Sequence, residues 1–159
     1  MEAEPEKNER IRRRKRLRNS IIVIALLVVA FWPVRYLASP RWEVRVENER
    51  GQPLAGMNVV LSYKNYSVEN NSHEIIYQTD ENGRVVFSKQ IGKANAASLV
   101  LYTLEESLLF VHGSFGRHAS VWANGNGLEG DDVFDHELVD WTGSPDSMRS
   151  VIVVKPVRR

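Results

Sequence analysis

The chain has 159 residues, 43% of them hydrophobic and 26% charged, a formal charge of +1 and no cysteine. That is room for one domain with a proper core and one short accessory segment, and it excludes disulfide staples, thiolate nucleophiles and Cys-ligated zinc. The small net charge conceals a segregation. Lys7, Arg10, Arg12, Arg13, Arg14, Lys15, Arg16 and Arg18 crowd the first 19 residues, whereas from Arg41 onward 12 Lys and Arg stand against 16 Asp and Glu. The alkaline character therefore belongs to the tail.

In chain order, the first predicted unit is a basic cytoplasmic tail over 1–19, followed by a transmembrane helix over 20–38. The apolar run Ile21 to Trp32 spans only about 18 Å, but Ser20 to Ala38 reaches about 28 Å against a hydrocarbon core of roughly 30 Å if Arg35 snorkels to the far headgroups. Trp32 and Tyr36, four residues apart, fit an interfacial aromatic belt on one helix face. The basic block keeps the N-terminus inside, which puts everything after Arg41 outside a single-pass cell membrane protein. Cleavage as a signal peptide is disfavoured because the stretch before Pro40 lacks a small-residue processing site. A nucleic-acid patch is disfavoured because it does not explain the apolar run that follows, so no nucleic-acid partner is expected.

From Trp42 the dominant period is two. "WEVRVE" alternates Trp42, Val44 and Val46 with Glu43, Arg45 and Glu47, as a half-buried strand does. Similar runs follow at 57–64, 74–79, 84–90, 97–104, 108–111, 118–123 and 150–155, separated by Gly, Asn and Pro. Thr103 to Leu109 is the one stretch that could form a turn of helix. Seven or eight short strands without crossover helices predict an all-β fold, an antiparallel β-sandwich over 41–157. In "TDENGRVVF" the oxygen ligands end at Asn82, too early for a calcium loop. Asp80 as acceptor and Gly83 at positive φ instead predict a hairpin turn, and Gly51 marks another.

The same stretches carry a resemblance. "VRVENERGQPLAGMNVVLSY" and "TDENGRVVF" are similar to the carboxypeptidase regulatory-like domain, a transthyretin-like β-sandwich, through Val44, Val46, Gly51, Pro53, Leu54, Gly56, Val59, Leu61, Thr79, Asp80, Gly83, Val85 and Phe87. The similarity runs from about Trp42 to Gln90 and implies a non-catalytic module with no active-site residues to carry over. Past Gln90 the chain departs from the pattern.

Three constellations remain. His112 and His118 bracket Ser114 in "HGSFGRH", but the glycines are misplaced for a nucleophile elbow. Asp135, His136 and Glu137 could join His112 or His118 in a metal-assisted hydrolase, the alternative reading, although no spacing demands it. The acidic run after Ala123 offers Asn124, Asn126, Glu129, Asp131, Asp132 and Asp135 as contacts for a partner or calcium, against a plain solvated loop. Asn65 and Asn70 fit the N-glycosylation pattern. The expected function is a membrane-anchored, non-catalytic sandwich outside the cell, held in the lipid bilayer through 20–38 and binding or scaffolding a protein or glycan partner of the envelope or cell surface, with no cofactor.

Overall fold

The computed structural model describes residues 4–108, 116–135 and 147–157. The chain opens with helix α1, Glu4–Phe31. Its straight-chain Arg, Lys and Leu residues lose little rotamer freedom in a helix. It ends where Pro33 biases Trp32 away from helical dihedrals. The Trp32 N–H closes the last turn on the Val29 carbonyl at 3.3 Å. Pro33 is followed by strand, not helix. β1, Val34–Ser39, pairs antiparallel with β6, Gln90–Ala94, as a separate two-stranded sheet.

That break corrects the membrane reading. The basic block fills the first half of α1, and the apolar stretch from Ser20 to Phe31 spans only about 18 Å before the helix stops. No helix among the described residues is long and apolar enough to cross a membrane, so the expected single-pass topology and the 20–38 span do not hold. Tyr36 is not on a helix face with Trp32, and Arg35 pairs with Lys93 across the β1–β6 ladder. Ile21, Val23, Leu26 and Phe31 are exposed on α1.

The remaining strands form one eight-stranded sheet. They are β2 Arg41–Asn48, β3 Asn58–Asn65, β4 His73–Gln78, β5 Arg84–Phe87, β7 Arg117–Gly125, β8 Leu128–Gly130, β9 Val133–Phe134 and β10 Ser147–Pro156. The order is β4-β3-β7-β8-β10-β2-β5, with β9 beside β7. The inward residues of β3 and β7 (Val59, Leu61, Ala119, Val121) and those of β2, β5 and β10 (Trp42, Val44, Val46, Val85, Phe87, Ile152, Val154) share one buried cluster, so the two halves of the sheet enclose a common core. Tyr77 on β4 stacks on Phe87 of β5, ring centroids 5.3 Å apart, where the two ends of the sheet approach.

Three further expectations change. The sheet is not wholly antiparallel: β10 runs parallel to β2, Ser147 opposite Arg41 through Val154 opposite Asn48. The Asp80 turn is present, with Asp80 Oδ1 accepting from the Asn82 and Arg84 N–H groups at 2.8 and 2.9 Å and Gly83 at φ 69°. It is not a hairpin, because β4 pairs with β3 while β5 pairs with β2, and the turn carries the chain from one half of the sheet to the other. Residues 97–104 form helix α2, Ala96–Leu108, in place of a strand. Asn95 starts it as an N-cap, its Oδ1 accepting from the Ser98 N–H at 2.8 Å while Ser98 Oγ accepts from the Asn95 N–H at 3.1 Å.

Candidate functional site

Strand alternation decides which side chains reach the outer surface of β2, β5 and β10. With Trp42, Val44 and Val46 turned into the core, Arg41, Glu43, Arg45 and Glu47 must point out. On β5 the same rule exposes Arg84 and Val86, and on β10 it exposes Arg149, Val151 and Val153. Register sets these side chains in rows: Val86, Glu43 and Arg149 in one, Arg84, Arg45 and Val151 in the next.

Three guanidiniums from three strands converge on the Glu43 carboxylate, Arg41 at 3.9 Å, Arg84 at 3.8 Å and Arg149 at 3.7 Å. Those separations exceed hydrogen-bonding distance, so each contact is a loose surface ion pair of small stabilising value and the guanidinium donors stay available. Arg45 Nε lies 2.7 Å from Glu47 Oε1, yet its N–H is not aligned on that oxygen and the buried donor has no hydrogen-bond partner. Between them lies a groove of about 400 Å³ lined by Glu43, Arg45, Arg84, Val133, Arg149, Ser150 and Val151. From beneath, Ser150 Oγ accepts the Trp42 indole N–H at 3.1 Å, tying the groove floor to the core. Such a surface can hold a carboxylate-bearing group against arginine while covering valine.

A second polar cluster joins β1 to the loop after β3. Glu69 Oε1 accepts from the Tyr36 hydroxyl at 3.1 Å and from the Asn65 N–H at 2.9 Å, and Glu69 Oε2 lies 2.8 Å from His73 Nε2. Burial favours the neutral carboxyl, but the hydrogen bonds from His73, Asn65 and Tyr36 outweigh it and hold Glu69 below the usual glutamate range. Burial, reinforced by the Glu69 charge, pushes the Tyr36 phenol up to about 12. Burial and then Glu69 also raise Tyr63, whose ring stacks on His73. Gly92 faces Tyr36 across the ladder, and a Cβ there would lie 2.3 Å from the ring. The cluster clasps β1 to the larger sheet.

Among the described residues no group of three or more His, Asp or Glu is placed to hold an ion. Asn126, at φ 52°, and Gly127 make the β7–β8 turn, and Asn124 and Gly125 close β7 opposite Glu129 and Leu128. Glu129 sits in β8 opposite Lys155, Asp131 and Asp132 follow it, and Asp135 Oδ2 accepts from the Ala119 N–H at 3.1 Å. His118 lies in β7, edge-on to Tyr66. His112, His136 and Glu137 lie outside the described residues. Asn65 Oδ1 accepts from the Ser67 N–H at 3.2 Å, and Asn70 is exposed. Sequence reasoning missed both clusters. The alternation of "WEVRVE" carried a signal for Glu43 and Arg45, but nothing local announces that β10 brings Arg149 beside them.

No protein-family model and no curated protein sequence matches the chain. Among solved structures, 3-chlorocatechol 1,2-dioxygenase from Rhodococcus opacus 1CP is similar at a TM-score of 0.43 and 15% identity, over 76% of this chain and 62% of that one. The chain thus spans less than two thirds of the length of that protein. That protein's name is an enzyme's, which stands against the expectation of a non-catalytic module, so the expectation does not hold. A similarity at this level carries no argument for an activity either.

Proposed function

We propose that the strand-rich body is a β-sandwich binding module of the transthyretin-like kind, and that it presents the outer face of β2, β5 and β10 to a protein partner. The observation that supports this reading is the convergence of Arg41, Arg84 and Arg149, from three strands, on the single Glu43 carboxylate at 3.7–3.9 Å beside a groove lined in part by Val133 and the exposed Val151. Folding alone does not require it. Ion pairs this exposed and this long contribute little to stability. Val86, Val151 and Val153, 43%, 55% and 42% exposed, lie on the same outer face and add apolar surface that a partner can cover.

The test places a photo-crosslinking amino acid at Val86 or Val151 in the full chain, with Ile76 on β4 as an exposed control on the other half of the sheet. Crosslinks to one defined partner, mapped by mass spectrometry, should form from 86 and 151 and not from 76. Crosslinks from 76 alone would place the interface elsewhere and refute the reading.

A further inference from the structure

On the reading that this face is a docking surface, we infer that its partner contributes an extended acidic segment along one face of which carboxylates alternate with apolar side chains. The commitment follows from charge and spacing. Arg41, Arg84 and Arg149 all lie within 4 Å of one carboxylate, so they are close neighbours. One carboxylate cannot occupy the several N–H donors each guanidinium carries. Planar guanidiniums are matched bidentately by carboxylates.

Spacing narrows the occupant further. The arginines are interleaved with Val86, Val151 and Val153, in rows that follow the strand repeat. An extended peptide repeats its side chains on one face every two residues, about 7 Å, the same interval at which these rows recur. A phosphate chain would satisfy the arginines but leave the valines uncovered. An acidic strand whose sheet-facing residues, every second one along the chain, are carboxylate and valine-like in turn covers both. Among the described residues β5 ends the sheet, which leaves the side next to Arg84 and Val86 without a neighbouring strand in the ladder.

The experiment titrates the full chain into a fluorescein-labelled peptide of three Glu-Ser-Val-Ser repeats, which sets Glu and Val in turn on one face of an extended chain, followed by anisotropy. Because α1 also carries a basic block, Arg14→Glu with Arg16→Glu serves as the comparison for non-specific attraction. The expected result is saturable binding that weakens at least about tenfold in Arg84→Glu with Arg149→Glu, stays unchanged in the α1 double variant, and tightens in Glu43→Gln. The last of these is a gain that misfolding does not produce. Loss of binding in the α1 variant alone, equal binding by all variants, or displacement by a heparin fragment but not by unlabelled peptide would each overturn the inference. If the peptide fails to bind while photo-crosslinks still form from 86 and 151, the acidic chemistry is wrong and the docking face stands. If both fail, the docking face falls too.

Discussion

Adding one methyl group at Gly83 should remove a measurable fraction of the stability of this domain. Gly83 sits at φ 69°. An L-residue in that left-handed conformation loses roughly 1–2 kcal/mol. An added Cβ would also lie 2.6 Å from the Val46 carbonyl oxygen, 2.9 Å from the Leu54 nitrogen and 2.9 Å from the Pro53 Cβ. Two of those atoms are backbone, and they are hydrogen-bonded to each other: Leu54 N–H donates to Val46 O at 3.0 Å, while Val46 N–H donates to Gly83 O at 2.8 Å. The methyl group therefore wedges into a backbone network that cannot rotate away, and overpacking of this sort costs about 1–3 kcal/mol more. Gly83→Ala should lose about 2–5 kcal/mol in total, a large share of the roughly 5–15 kcal/mol a domain possesses. Gly56, at φ 71° with nothing within 4 Å of its Cβ position, isolates the dihedral cost. Gly56→Ala should lose only about 1–2 kcal/mol. Urea unfolding of the two variants, with slopes matching the parent, measures the difference. Equal losses would show that the Asp80 turn does not dock on β2 as described.

Other outcomes follow from named contacts. Thr79 is buried, its hydroxyl donating to the Leu54 carbonyl at 2.6 Å and accepting from the Met57 N–H at 3.0 Å. Thr79→Val should therefore lose about 1–3 kcal/mol in the same urea assay. Asn95→Ala removes the α2 cap. The loss should be about 0.5–2 kcal/mol, read as faster amide exchange over 96–100. The Glu69 carboxyl titrates below its ordinary range when folded, so its contribution is present above the unfolded value of 4.5 and fades as pH falls through the lower folded value. Tyr36 has the opposite sign: raised from 10.0 to about 12, it contributes fully below pH 10 and is lost between 10 and 12. Thermal melts across both windows should lose their extra alkaline decline in Tyr36→Phe.

The alternation of Trp42 to Glu47 and of the strand before Asn65 was readable because each period-two pattern is local and one face is buried. The Asp80 turn was readable for the same reason, since Asp80 and Gly83 act on their own neighbours. What that turn connects was not, because the choice between a hairpin and a crossing depends on whether β5 finds β2 or β4, a contact far apart in sequence. Helix α2 was misread through "SLVLYTL", whose β-branched and aromatic residues suit a strand; the deciding signal was the Asn95 and Ser98 cap. Ser20 to Ala38 was misjudged by length, since adding apolar residues across Pro33 ignored the strand that Tyr36 and Gly92 hold in place. The arginine face stayed hidden because Arg84, Arg149 and Glu43 meet only through strand pairing.

The most direct measurement is a backbone chemical-shift map of the isotope-labelled protein titrated with the Glu-Ser-Val-Ser repeat peptide. The account predicts shifts concentrated at Glu43, Arg45, Arg84, Val86, Arg149 and Val151, with the β3 and β4 residues unmoved. Shifts confined to residues 10–18, or spread over β3 and β4, would contradict it.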